Sequence, residues 1–232
     1  MDPELNILYE DNHLIAVNKS NHDLVQKDKT GDEALDDKLK RYLKKKYHKS
    51  GNVYLGIPHR LDRPVSGVVL FTRTSKALSR INDLFRKGEV TKIYWAIVKE
   101  KPEHYSGTLI HYMRKNEKQN KSYCNEKELP DTKRAELEYI IRAESDNYHL
   151  LEILLKTGRH HQIRAQLATI GCPIKGDLKY GFPRSNPDGG ISLHARKIAF
   201  LHPVSGADIE IIANPPATDA LWKYFENTMS AQ

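Results

Sequence analysis

Residues 58–72 read Pro58-His59-Arg60-Leu61-Asp62-Arg63-Pro64-Val65-Ser66-Gly67-Val68-Val69-Leu70-Phe71-Thr72. From Ser66 onward the apolar and β-branched content predicts a buried strand. Before it, a carboxylate sits among cations just ahead of a turn. In an extended segment alternate side chains share a face, so Arg60 and Asp62 point together while Leu61 turns inward. A neighbouring arginine favours the charged carboxylate and orients it by charge-assisted hydrogen bonds. Asp62 therefore reads as an anionic, aimed group, the state a nucleophile needs. The plainer reading, a structural ion pair at a strand entrance, is the one that pattern alone favours.

Outward from this stretch, Leu5 to Asn18 holds two short apolar runs around Asp11-Asn12, a hairpin. Glu33 to Tyr47 places Leu35, Leu39, Tyr42 and Leu43 at helical spacing opposite a cationic face. After the buried strand comes a helix with Ala77, Leu78, Ile81, Leu84 and Phe85 inside, ended by Gly88. Strands are predicted at 92–98, 107–112, 135–143 and 148–155. The polar stretch from Arg114 to Lys133 is too long for an ordinary turn and is expected to be a mobile insertion. A short helix carrying Ile163, Leu167 and Ile170 follows the Thr157-Gly158 turn, then strands at 193–201 and 208–212. Pro215-Pro216 introduces a last helix with Leu221, Trp222 and Phe225. Strands predominate and many join without intervening helices, so the expected class is α+β, a mixed, largely antiparallel sheet with flanking helices.

The 232 residues fit one domain or two closely packed lobes. Hydrophobic residues make 39% and charged residues 29%, ordinary values that exclude disordered and fibrous classes. The N-terminus shows no secretory pattern, and the longest apolar stretches, 67–71 and 150–155, fall far short of the ~20 residues of a membrane span. A soluble, cytoplasmic protein is expected. Cys124 and Cys172 give neither a disulfide framework nor a thiolate metal site. The net charge of +7 favours polyanionic partners, a modest argument by itself.

Three further stretches bear on chemistry. Thr157-Gly158-Arg159-His160-His161-Gln162-Ile163-Arg164 is a turn into a helix, crowded with donors and cations. Its arginines suit phosphate or a carboxylate; the bland alternative is a solvated helix start. On a helix His160 and His161 would diverge by about 100° and share no metal ion, so no metal site is expected. In Lys92-Ile93-Tyr94-Trp95-Ala96-Ile97-Val98, Tyr94 faces away from Ile93, Trp95 and Ile97; alone it reads as a core tyrosine. Lys38, Lys40, Arg41, Lys44, Lys45, Lys46 and Lys49 suit a phosphate backbone, though such faces are more often only solvated.

Together these stretches resemble the RluA-like family of pseudouridine synthases. The likeness rests on HRLDRPVSGVVLFT at 59–72, KIYWAIV at 92–98, TGRHHQIRAQLATIGCPIKGD at 157–177 and SLHARKIAFLHPVSG at 192–206. It covers almost the whole chain from ILYEDNHLIAVNK onward. Two departures stand out: Ser20-Asn21-His22-Asp23 replaces the family's Pro-x-Gly turn, and Val65 stands where threonine is common.

The resemblance implies one catalytic domain over residues 1–232 without a separate N-terminal RNA-binding domain. It implies isomerisation of a uridine in transfer or ribosomal RNA without a cofactor. Asp62 would be the nucleophile, Arg164 its ion-pair partner, and Tyr94 the ring that stacks on uracil and serves as base. Arg60 would fill the gap left by a flipped nucleotide and Leu193 would wall the pocket. A structured RNA is the expected partner of a monomer with no obligate protein partner. Two rivals have different chemistry: a noncatalytic RNA-binding module or chaperone of the same fold, and a hydrolase pairing Asp62 with His59.

Overall fold

A computed structural model describes residues 5–27 and 31–230. The elements begin with β1 (Ile7–Glu10), β2 (Leu14–Lys19), α1 (Leu35–Lys46), β3 (Ser66–Thr72) and α2 (Ser75–Lys87). They continue with β4 (Thr91–Val98), β5 (Ser106–Asn116), β6 (Lys121–Asn125), β7 (Lys133–Glu144) and β8 (His149–Leu155). The last are α3 (Gln162–Thr169), β9 (Leu193–Leu201), β10 (Asp208–Ile212) and α4 (Ala220–Ser230). The class is α+β. Among the described residues no helix is long and apolar enough to cross a membrane. The chain divides into two compact units, Met1–Val90 with Ala195–Asn214, and Thr91–His194 with Pro215–Gln232.

In the first unit β1 and β2 form the expected hairpin, its turn closed by Asp11 Oδ1 accepting from the backbone of His13 and Leu14, both at 2.7 Å. β2 pairs antiparallel with β3, from Leu14 opposite Thr72 to Lys19 opposite Gly67. Every residue of β3 is buried, in keeping with the apolar run from Val68 to Phe71 at its centre. Gly67 has φ +117°, and a Cβ there would lie 2.4 Å from the backbone oxygen of Ala195 on β9. The Ser-Gly of the decisive stretch is thus a point of close backbone approach. Thr74 caps α2 by accepting from Ala77 N at 3.1 Å, and Gly88 ends it in the left-handed region.

In the second unit the strands lie in the order β4-β8-β7-β5-β6, each pair antiparallel. One face carries Trp95, Ile97, Ala143 and Leu150 beneath Trp222 and Phe225 of α4. On the other, Met113 and Ala135 meet Ala165 of α3 and Tyr180.

Two expectations are corrected. The stretch from Arg114 to Lys133 is not a loose insertion: β5 runs on to Asn116, turns, and pairs with β6 from Tyr112 opposite Asn125 to Asn116 opposite Lys121. The inward positions here include a small polar residue, buried Ser122, so no apolar alternation marks the strand. The His160-His161 pair lies before α3, with His161 at φ 54°. Left-handed backbone there replaces the divergence a helix would impose, and the two rings stack with centroids 3.8 Å apart.

Candidate active site

In the first unit the Asp62 loop is a β-turn, with Val65 N donating to Asp62 O at 3.1 Å across Arg63-Pro64. Leu61 is buried, Arg60 exposed and Asp62 half-buried, the alternation read from the sequence. His59 braces the loop: its Nε2 accepts from Leu70 N at 2.9 Å, and its ring lies 5.3 Å from that of Phe85. That backbone bond uses the one lone pair with which a neutral imidazole acts as a base.

The loop rests on a residue that the sequence reading passed over. Lys19 is 1% exposed, and its ammonium donates to Ser20 O at 2.7 Å, Arg63 O at 2.9 Å and Val65 O at 2.7 Å. Both carbonyls flanking Pro64 are therefore held from below by one buried cation. Burial pushes Lys19 down to about 7, against the pull of the Asp23 and Asp62 carboxylates. The three acceptors match the three N–H of an ammonium, so deprotonation forfeits one bond.

The unfolded chain binds this proton more tightly than the folded one, so Lys19 stabilises progressively as pH rises from about 7 towards 10.5. Lys19→Met should lose about 2 kcal/mol at neutral pH through its orphaned carbonyls. The deficit relative to the parent should widen with pH, by at most about 1.4 kcal/mol per unit. Denaturant titrations of both proteins across that window measure it; a deficit constant with pH would remove the buried-cation argument.

The cationic face of α1 is less available than its sequence suggests. Lys38 pairs with Asp23 at 3.1 Å, Lys40 with Asp36 at 2.8 Å, Lys46 with Glu10 at 2.8 Å, and Arg41 with Glu33.

In the second unit Tyr94 is half-buried on β4, opposite Ile153, on the face away from Trp95 and Ile97. Lys92 shares that face, two residues earlier, and burial pushes its pKa down. The alternation that singled out Tyr94 also points to Lys92, a signal the sequence reading did not use.

Arg164 lies in the first turn of α3 and is buried, which excludes a solvated helix start. Its Nε and Nη2 donate to Asp177 at 2.7 and 2.8 Å, a two-pronged ion pair whose carboxylate is 1% exposed. The guanidinium carbon lies 5.1 Å from the centre of the Tyr180 ring. Asp177 is set by a segment anchored to β4, where Lys175 N donates to Ile97 O at 2.9 Å. Side-chain amides fix α3: Gln162 accepts from Thr157 Oγ1 and Arg159 N and donates to Glu136 O, while Gln166 donates to Leu109 O. Arg159 remains exposed, its Nε donating to Arg134 O at 3.0 Å. Leu193 is buried at the start of β9.

Comparison with known proteins adds to this geometry. Residues 13–169 match the family model described as RNA pseudouridylate synthase. Ribosomal large subunit pseudouridine synthase C of Rickettsia prowazekii is 30% identical over 90% of this chain and 68% of its own length. tRNA pseudouridine synthase C of Vibrio vulnificus is 29% identical over 94% of this chain and 93% of its own length. The solved structure of human RNA pseudouridylate synthase domain containing 4 has a TM-score of 0.78 at 22% identity, covering 97% of this chain and 93% of that one, a likeness of fold. The model spans well over half the chain and the Rickettsia relative nearly all of it, so this chain belongs to the RNA pseudouridylate synthase family.

Proposed function

We propose that the chain isomerises a uridine within a structured transfer or ribosomal RNA, with Asp62 as the nucleophile. The observation that carries this reading is the half-buried carboxylate on a turn whose carbonyls are held by Lys19. A nucleophile needs that fixed placement, and a surface salt bridge does not. The bond from uracil N1 to C1′ breaks, the uracil turns, and C5 bonds to C1′. The C5 hydrogen leaves as a proton and N1 gains one. Oxidation state is unchanged, so the step calls for no redox partner.

A uridine in stacked RNA must first be flipped out, at a cost of a few kcal/mol. Arg60, exposed two residues before Asp62, suits the vacated space because its planar guanidinium both stacks and donates. Tyr94 supplies a ring for the uracil and a hydroxyl that manages the C5 proton; Arg164 supplies a fixed positive charge; Leu193 supplies an apolar wall. The Rickettsia relative is named for ribosomal RNA and the Vibrio relative for transfer RNA, so a structured RNA of either class fits the reading. Pseudouridine mapping of total RNA from cells with and without this gene tests it. A uridine converted only when the gene is present supports the reading; identical maps would favour the noncatalytic RNA binder.

Tyr94→Phe separates the ring from the hydroxyl. It should bind RNA as the parent does and lower kcat about a hundredfold or more, the range of a lost acid–base group. Turnover within a few-fold of the parent would confine Tyr94 to stacking.

A further inference from the structure

The β5–β6 hairpin carries a cluster of cations beside an exposed ring. Arg114, Lys118 and Lys121 form no ion pair with an acidic side chain among the described residues, and none is buried. Register sets Arg114 directly across from Tyr123, so the guanidinium and the ring stand on one face. Tyr123 is 45% exposed, and its hydroxyl donates to Gln119 Oε1 at 2.5 Å, which fixes the ring in the open. The ammonium of Lys121 lies 5.5 Å from the centre of that ring and 5.0 Å from that of Tyr180.

The hairpin is also anchored. β6 is the edge strand of the second unit, where unpaired backbone groups normally invite another strand. Here Ser122 N donates to the Tyr180 hydroxyl at 2.9 Å, and Ser122 Oγ lies 2.9 Å from His160 Nδ1. His161 Nδ1 reaches the same hydroxyl at 3.0 Å, and the Tyr180 ring also faces Arg164. An exposed ring flanked by cations that form no ion pair among the described residues, on a fixed support, is the chemistry of a nucleobase platform with phosphate contacts on either side.

We propose that Arg114, Lys118, Lys121 and Tyr123 form an RNA-docking face, Tyr123 stacking on an unpaired nucleobase of the substrate while the three cations hold its neighbouring phosphates. This rests on the reading of the chain as an RNA-modifying enzyme and adds where it grips its substrate. The face governs which RNA is held; conversion belongs to other residues. The C-terminal end of α1 and the turn after it contribute a weaker, sequence-blind attraction through Lys44, Lys45 and Lys49.

The test uses the full chain with unmodified transfer RNA and ribosomal RNA labelled with tritium at uracil C5, reading filter binding across a salt series and tritium release. Tyr123→Ala should weaken binding and raise KM about tenfold, the effect of losing one stacked base, with kcat within about twofold. The triple change Arg114→Gln, Lys118→Gln, Lys121→Gln removes three phosphate contacts and should reduce the slope of log affinity against log salt by about 2. Lys44→Gln, Lys45→Gln, Lys49→Gln should flatten it less. Binding unchanged in both hairpin variants, or a larger loss from the α1 triple, would overturn the docking face. So would a fall in kcat at unchanged KM, which would make the hairpin only a support for Arg164. A parent that binds these RNAs and releases no tritium would instead sink the proposed isomerisation, and the binding arm would still decide the docking face.

Discussion

Asp62→Asn is expected to fold like the parent, to bind RNA with unchanged affinity, and to release no tritium from RNA labelled at uracil C5. Asn keeps the shape of the side chain and removes the negative charge that a covalent step requires. The loop should survive, because the substitution leaves in place the bond from Val65 N to Asp62 O and those from Lys19 Nζ to the carbonyls of Arg63 and Val65. Asp62 is one of two carboxylates whose charge favours the Lys19 ammonium, so its loss should lower the Lys19 pKa further and cost some stability at neutral pH. That cost is a shift in midpoint, separable from turnover. Loss of a group acting only in the reaction lowers kcat and leaves binding intact. Single-turnover release at saturating enzyme, with retention of the same RNA on filters, reads both quantities. Release at anything near the parent rate would remove Asp62 from the covalent step.

The decisive stretch could be read because its signals are local. β3 is buried over all seven of its residues, and the apolar run from Val68 to Phe71 at its centre points to that without tertiary information. α2 announces itself by a threonine cap, an apolar stripe and a terminal glycine, all within its own length. β9 and β10 fall where the sequence puts them for the same reason.

What escaped depends on partners distant in sequence. Lys19 ends a strand and looks like any exposed lysine; only the carbonyls of Arg63 and Val65 make it a buried staple. α3 was expected to bury Ile163, Leu167 and Ile170, yet Gln162 through Leu167 are all buried. Its amides spend their hydrogen bonds on β5 and β7, and a hydrophobic pattern carries no trace of that. The charge on α1 misled in the opposite sense, since acids at Asp23, Asp36, Glu33 and Glu10 neutralise cations that a count treats as available.

The same blindness hid Asp177, whose replacement should have the largest effect on stability. Arg164 and Asp177 are 5% and 1% exposed and meet through two parallel hydrogen bonds. Each charge offsets part of the cost of burying the other. Asp177→Asn would turn an amide N–H₂ towards a guanidinium that can only donate, and would remove the negative charge that takes its two short hydrogen bonds. The expected loss is about 3–5 kcal/mol, a midpoint lower by roughly ten degrees in a chain of this size. Arg164→Lys should fare little better, because an ammonium cannot reproduce the fork. The double change Arg164→Met, Asp177→Leu removes both charges and should recover much of the midpoint, since apolar replacements of buried pairs often cost little. Turnover should not return with it, because the fixed positive charge assigned to Arg164 is gone. Thermal melts of the three variants beside tritium release separate the two effects. A midpoint for Asp177→Asn within about two degrees of the parent would show that Arg164 is held in place without this carboxylate.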